Sequence, residues 1–221
     1  MEARAKHGGA RPGAGRKKTV KRGGPHRARP ALQAHHPVHA VLRTHEGLGR
    51  LRQRNMYRAI RRVLVRYLGR DEFRVVHLSI QGNHLHLIVE ARDARALSRG
   101  MQSLAINLAR AINGVWKRAG AVFAGRYHAT QIKTARQARN TLCYVLNNWR
   151  RHREDLADAR CMQARLDPYS SATSFAGWTV RFVAPAHYVP LPISPPETEL
   201  LRSDWLRCGR IDPWEVPGPL S

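Results

Sequence analysis

The chain has 221 residues, of which 43% are hydrophobic and 24% charged, a composition that excludes a wholly disordered chain, a coiled coil and a fibrous protein. It has 39 Lys and Arg against 15 Asp and Glu, a formal net charge of +24. Such a charge predicts a polyanionic partner, and nucleic acid is the most common one. The sequence has neither a long apolar run nor an apolar signal core, so we expect no membrane partner and a cytoplasmic, nucleoid-associated protein.

The first 33 residues are predicted to form a flexible basic arm. Residues 1–30 hold ten Lys and Arg, one acidic residue and many glycines, without hydrophobic periodicity. Within it, Arg11, Arg16, Lys17 and Lys18 flank small residues, as in arms that enter the minor groove of DNA, and they are candidate DNA contacts. A purely electrostatic or solubilising tail is the other interpretation.

Hydrophobic periodicity predicts seven regular elements in the next part of the chain. In order they are a strand at 36–43, a helix at 53–68, a hairpin of strands at 73–80 and 84–90, a helix from Asp93 to about Gly120, a strand at 127–133 and a helix from Thr134 through Arg151. The first six have the split βαβ order of a ferredoxin-like α+β sandwich, with a four-stranded antiparallel sheet and two helices on one face. The last helix is an addition to that fold. We therefore predict a catalytic domain at 34–153 and an irregular, proline-rich extension at 154–221.

Two histidines occupy alternate positions on the second hairpin strand. His84 and His86 therefore point to the same face of the sheet, where two imidazoles can converge on one divalent ion. A His-x-His pair can equally belong to an ordinary polar strand face.

A tyrosine and an asparagine lie one turn apart on the last helix. Tyr144 and Asn148 are at positions i and i+4, opposite an apolar stripe, so a phenol and an amide are presented together on one helix face. Without its context, Tyr144 is also consistent with an ordinary surface tyrosine.

Three segments together resemble the single-tyrosine HUH transposases, especially the REP-associated tyrosine transposases. The segment 82–88 (GNHLHLI) resembles the family's HUH motif, 123–127 (FAGRY) its F-x-G-R-Y/F segment, and 144–148 (YVLNN) its Tyr-x-x-x-Asn helix. Their order and spacing agree, and the resemblance covers about residues 36–153.

The resemblance implies an enzyme that cleaves and rejoins single-stranded DNA near hairpins through a 5′-phosphotyrosine intermediate. By this resemblance His84, His86 and Asn148 hold Mg²⁺ or Mn²⁺, Tyr144 is the nucleophile, and the protein is a monomer or a homodimer. The family often has Asn-Pro where this chain has Asn148-Trp149, which leaves Asn147 as an alternative third ligand, although the i+4 spacing favours Asn148.

Further candidate DNA contacts lie outside this set of residues. Arg58 and Arg62 on the first helix and Arg126 in the F-x-G-R-Y segment are candidates for phosphate contacts, and Trp149 for stacking on an unpaired base. A catalytically silent hairpin DNA- or RNA-binding protein derived from a transposase is the competing hypothesis. A ferredoxin-like RNA-binding module is a third, although its stacking aromatics are not apparent on the strands.

Overall fold

A computed structural model describes residues 31–157, 162 and 164–219. Strands β1 (Val38–Arg43), β2 (Phe73–Ile80), β3 (His84–Ala91) and β4 (His128–Gln131) form one sheet in the order β2-β3-β1-β4. All neighbouring strands are antiparallel. This is the strand order of a split βαβ fold, so the predicted ferredoxin-like α+β class is confirmed.

Helices α1 (Arg54–Val65) and α2 (Ala94–Trp116) pack on one face of the sheet over a single apolar core. Helix α2 begins as predicted, because the Asp93 carboxylate accepts a hydrogen bond of 2.7 Å from the backbone N–H of Ala96. A Cβ atom at Gly100 would overlap the ring of Phe73, so glycine at this position lets the helix approach β2 closely. None of the described helices is long and apolar enough to cross a bilayer.

Helix α3 (Ala135–Arg151) packs on the opposite face of the sheet. The Thr134 hydroxyl accepts from the backbone N–H of Gln137, as predicted for a capping box. The Gln137 side chain, however, accepts from the backbone N–H of Lys133, one residue before the cap. A second apolar cluster lies around α3 and contains Val76 and Ile88 of the sheet together with Trp178 and Trp205 of the C-terminal part.

The C-terminal part of the chain is irregular, as predicted, and covers α3 and the adjacent face of the sheet. It includes a short helix at Glu199–Arg202 and 3₁₀ turns at Glu154–Leu156, Ser171–Ser174 and Asp204–Cys208. The buried carboxylate of Glu90 anchors it by accepting hydrogen bonds from the backbone N–H groups of Glu197 and Thr198 and from the Thr198 hydroxyl. A buried ion pair of 2.9 Å between Arg52 and Asp167 forms a second anchor. The boundaries proposed at residues 33 and 153 stay predictions.

Four elements are shorter than their hydrophobic patterns predict, among them helix α2, which ends at Trp116 rather than near Gly120. Strand β1 begins at Val38, directly after Pro37, which has no N–H to donate. Strand β4 covers only His128–Gln131, and it pairs with β1 alone. Helix α1 ends at Val65, and the apolar residues after it lie in a turn that ends at Gly69, where φ is +67°.

Candidate active site

The two histidines of the HUH-like segment lie side by side at the beginning of β3. Their side chains share the sheet face that α3 covers, opposite Arg43 and Val41 of β1 in the strand register. The Nε2 atoms of His84 and His86 are 3.0 Å apart. The alternation of the strand therefore brings two imidazole nitrogens to one point, as the sequence predicts.

The other nitrogen of each ring has its own hydrogen-bond partner. His84 Nδ1 is 2.8 Å from the Asn83 side-chain oxygen, and His86 Nδ1 is 3.1 Å from Nε2 of His39. With hydrogens on both Nδ1 atoms, Asn83 and His39 act as acceptors, and both Nε2 atoms present unprotonated lone pairs. Two lone pairs at this separation repel each other unless a cation or a proton lies between them.

Burial keeps these imidazoles neutral. It lowers the pKa of His84 to about 4, and the charges of His152 and Arg43 add to this effect. The pKa of His86 is lowered to about 2 by burial and by the surrounding histidines and Arg43. Burial and neighbouring histidines also lower the pKa of His39 to about 4. Neutral imidazole is the form that coordinates a metal ion, so the rings have the ligand form at neutral pH.

Helix α3 brings Tyr144 against the histidines. The Tyr144 ring lies edge-on to His86 at 5.2 Å between centroids and is 6.0 Å from the His39 ring. Two turns further along, the His152 ring at the end of α3 is 5.9 Å from the ring of His84. Asn148 lies one helical turn after Tyr144 and one turn before His152, on the same helix face. It therefore faces the region between His84 and His86.

The Asn148 side chain has no hydrogen-bond partner among the described residues. Its exposed fraction is 0%, and both its Oδ1 and its Nδ2 are buried and unpartnered. Leaving a buried amide unsatisfied costs about 1–3 kcal/mol, so this amide fits a site that is completed by a ligand. By contrast, Asn147 donates from Nδ2 to the carbonyl groups of Asp212 and Glu215, and only its Oδ1 lacks a partner among the described residues. Of the two asparagines, Asn147 therefore holds the C-terminal part in place, and Asn148 is available to the site.

Two ring nitrogens and one amide oxygen can serve as ligands of a divalent cation. An octahedral ion with bonds of about 2.1 Å places adjacent ligands about 3.0 Å apart. This value matches the separation of the His84 and His86 Nε2 atoms. Among residues 31–157, 162 and 164–219 no group of three or more His, Cys, Asp or Glu side chains is arranged to hold a metal. An ion at this site would therefore depend on the Asn148 amide as its third protein ligand.

The remaining candidate DNA contacts are distributed differently from the expectation. Trp149 has an exposed fraction of 0%, so its expected role as a stacking surface is wrong, because the ring has no exposed face on which a base could stack. Arg58 and Arg62 are exposed on α1, across the sheet from Tyr144, and Arg126 is exposed before β4. Arg11, Arg16, Lys17 and Lys18 lie outside the described residues.

Three residues near the histidines were not identified from the sequence. Arg43 lies opposite His84 in the sheet register, His39 bonds to His86, and His152 faces His84. The pairing of β1 with β3 in the split βαβ order could have placed His39 and Arg43 on this face. His152 is at position i+4 from Asn148, which was also a readable signal.

The candidate site is thus an α+β sheet that presents two histidines to a tyrosine-bearing helix. The sequence model described as "Transposase IS200 like" matches residues 33–148, more than half of the chain, and the protein belongs to this family. One similar solved structure is that of a REP-associated tyrosine transposase bound to a REP hairpin. It has 13% sequence identity and a TM-score of 0.46, with 58% of this chain and 74% of that chain covered. Curated proteins give no match.

Proposed function

We propose that the protein is a metal-dependent endonuclease and strand transferase that cleaves single-stranded DNA near hairpins through a 5′-phosphotyrosine intermediate. The observation that carries this proposal is the contact of the Tyr144 ring with His86, beside the unpartnered Asn148 amide on the same helix face. In this proposal a nucleophile, two neutral imidazoles and an amide oxygen act together between β3 and α3. Family membership supports a DNA substrate.

His84, His86 and Asn148 are the residues that would hold Mg²⁺ or Mn²⁺ in this proposal. All three are neutral ligands, so a bound cation would keep its full charge to polarise a phosphate and to stabilise the charge that develops on it. The hydrogen bonds from His86 to His39 and from His84 to Asn83 fix the orientation of both rings. His39 and Asn83 are therefore positioning residues.

Tyr144 supplies the nucleophile. Its phenolic oxygen forms a bond to phosphorus and displaces the 3′ oxygen of the preceding nucleotide. The phenol loses its proton and the leaving oxygen gains one, so the products are a 5′-phosphotyrosine and a free 3′-hydroxyl. The ester is preserved in the protein–DNA bond, and a second 3′-hydroxyl can therefore reverse the step and join a different strand.

The charge around the site is suited to a polyanion. Arg43 is exposed and lies opposite His84 in the strand register, so in this proposal its charge is available to the phosphate. The formal net charge of +24 and the basic arm favour DNA binding over the rest of the surface. In this proposal the arm contacts a duplex stem next to the cleaved strand.

The proposal is tested with a library of single-stranded hairpin oligonucleotides and Mn²⁺. Denaturation and protein capture recover any DNA that is attached covalently, sequencing identifies the substrate, and mass spectrometry of peptides locates the modified side chain. We expect nucleotide attached to the peptide that contains Tyr144. Tight hairpin binding without any adduct would support the catalytically silent binding protein, and an adduct on another side chain would assign the nucleophile elsewhere.

A further inference from the structure

A cavity outside the candidate active site is lined by four arginines of α1. It has a volume of about 570 Å³ and lies between α1 and the C-terminal part of the chain. Arg54, Arg58, Arg61 and Arg62 line it because their positions repeat along one face of the helix. None of the described residues that line this cavity is Asp or Glu. The cavity is therefore strongly cationic and unsuited to a positively charged or purely apolar ligand.

Three tyrosines form the other side of this arginine–tyrosine cavity. The rings of Tyr169 and Tyr188 are 6.1 and 6.2 Å from that of Tyr57. The Tyr57 hydroxyl donates to the carbonyl of Val189, and the Tyr188 hydroxyl donates to that of Pro168. These hydrogen bonds hold the rings in position, so the aromatic wall exists before a ligand binds.

We propose that the arginine–tyrosine cavity is a second nucleic-acid site, which binds an unpaired nucleotide of the single-stranded DNA substrate. Guanidinium groups bind backbone phosphates, and aromatic rings stack on unpaired bases without requiring a particular sequence. The volume is in the range of small-molecule sites, which suits one unpaired nucleotide rather than a duplex. This inference rests on the proposed function only for the identity of the ligand as DNA.

The cavity lies at the same end of the sheet as the candidate active site. The carbonyl of Tyr169 accepts from the backbone N–H of Ile80, the last residue of β2, and His84 is the first residue of β3. Only the turn at 81–83 separates these two points along the chain, and α1 and α3 cover opposite faces of the sheet. Single-stranded DNA that leaves the candidate active site can therefore reach the cavity by passing around this turn.

The cavity is partly a feature of this chain's own extension. Tyr169 and Tyr188 lie beyond residues 33–148, the region that matches the family. The extension thus adds two of the three aromatic rings to a basic helix of the catalytic domain.

The test measures binding of oligo-dT by the full-length Tyr144→Phe protein with EDTA present, so that cleavage plays no part. The double variant Arg58→Gln/Arg62→Gln is compared with Arg95→Gln/Arg110→Gln, which removes the same charge from exposed positions of α2. Two lost single-strand phosphate contacts should reduce the slope of log affinity against log salt by about 1.4. The α2 variant should retain the original slope.

Stacking is tested at Tyr188. Tyr188→Ala should weaken oligo-dT binding about 5- to 150-fold, whereas Tyr188→Phe, which keeps the ring but loses its hydrogen bond to Pro168, should weaken it much less. An oligonucleotide of abasic sites should not distinguish these two variants. Photocrosslinking with 5-iododeoxyuridine should label peptides that contain Tyr169 or Tyr188.

Equal slopes for the two arginine variants, equal affinities for the two Tyr188 variants, or no binding of oligo-dT at all would overturn the inference. A failure of the wild-type protein to form a covalent adduct would refute the proposed reaction without affecting these binding results. Conversely, equal slopes would leave the reaction at Tyr144 intact. The two proposals therefore fail through different measurements.

Discussion

Replacement of His39 by phenylalanine tests whether the histidine pair is organised as a metal site. Phenylalanine retains a ring in the space that His39 occupies, where the exposed fraction is 6%, but it removes the Nε2 acceptor. In the wild-type protein this acceptor is 3.1 Å from His86 Nδ1. In the His39→Phe variant, a metal ion bound to His86 Nε2 leaves the Nδ1–H of the same ring as a buried donor without an acceptor.

The size of the effect follows from that lost partner. An unsatisfied buried donor costs about 1–3 kcal/mol, which corresponds to a 5- to 150-fold loss of metal affinity. The usual loss when an outer hydrogen-bond partner of a ligating histidine is removed is about 10- to 100-fold. We therefore expect a loss of one to two orders of magnitude for His39→Phe.

The assay is a titration of the protein with Mn²⁺ after its metal ions have been removed with EDTA. Electron paramagnetic resonance measures the concentration of unbound Mn²⁺ at each step, from which the affinity is obtained. Mn²⁺ is suited to this assay because it is paramagnetic and is one of the two ions that the proposal names for this site. His45→Phe is the control, since His45 is exposed and lies just after β1. If His39→Phe binds Mn²⁺ as tightly as the control, His39 does not position His86 and the reasoning is wrong.

Three further predictions concern the buried groups of the fold. Asn148→Leu should remove the stabilisation of the protein by Mn²⁺. Because the substitution deletes two unpartnered polar atoms, the metal-free variant should be at least as stable to urea as the metal-free wild type. A lower stability of the metal-free variant would show that the amide has a structural partner. Burial lowers the pKa of His77 to about 4, so the unfolded state binds more protons than the folded state between pH 6.5 and 4. The free energy of unfolding should therefore decrease as the pH is lowered through this range, by about 2 kcal/mol at pH 5 and 3 kcal/mol at pH 4. Urea titrations in EDTA should show that His77→Asn removes this contribution, and an unchanged pH dependence would contradict it. Gly100→Ala should destabilise the protein by about 1–3 kcal/mol, because the new Cβ overlaps with Phe73. Gly114 is exposed on the same helix, and Gly114→Ala should stabilise the protein by about 0.5–1 kcal/mol. Thermal unfolding curves that shift equally for both variants would refute the overlap.

The sheet and helices were predictable because their signals are local. Strands β2 and β3 alternate over most of their length around a short turn, with a register shift between Val75 and His77, and Asp93 and Thr134 mark the helix starts with side-chain caps. The strand alternation also predicted that His84 and His86 share one face. Local patterns did not show the short length of β4, because that is set by its pairing with β1 alone.

The surroundings of α3 could not be predicted in the same way. From the sequence alone, Asn148 lies on a polar helix face, and Trp149 is a candidate stacking surface. In the structure both are buried, and the C-terminal part, including Trp178 and Trp205, packs against α3. This packing joins segments that are far apart in the sequence, and the periodicity of one helix contains no information about it.

The arginine–tyrosine cavity illustrates the same limit. Arg58 and Arg62 were predicted as phosphate contacts from the basic face of α1, and both line the cavity. Tyr188 reaches this helix from more than a hundred residues further along the chain, through the hydrogen bond between Tyr57 and Val189. Sequence patterns therefore identified the charges of the surface but not its aromatic wall.

The covalent chemistry of Tyr144 tests the account most directly. A hairpin substrate labelled at its 3′ end is incubated with Mn²⁺ and the wild-type, Tyr144→Phe or Tyr67→Phe protein, and the products are separated under denaturing conditions. Tyr67 is a matched control because it is buried between α1 and α2 and hydrogen bonded to Ser103, on the other side of the sheet. We predict a labelled protein band with the wild-type and Tyr67→Phe proteins and none with Tyr144→Phe. A band of equal yield with Tyr144→Phe would contradict the central claim.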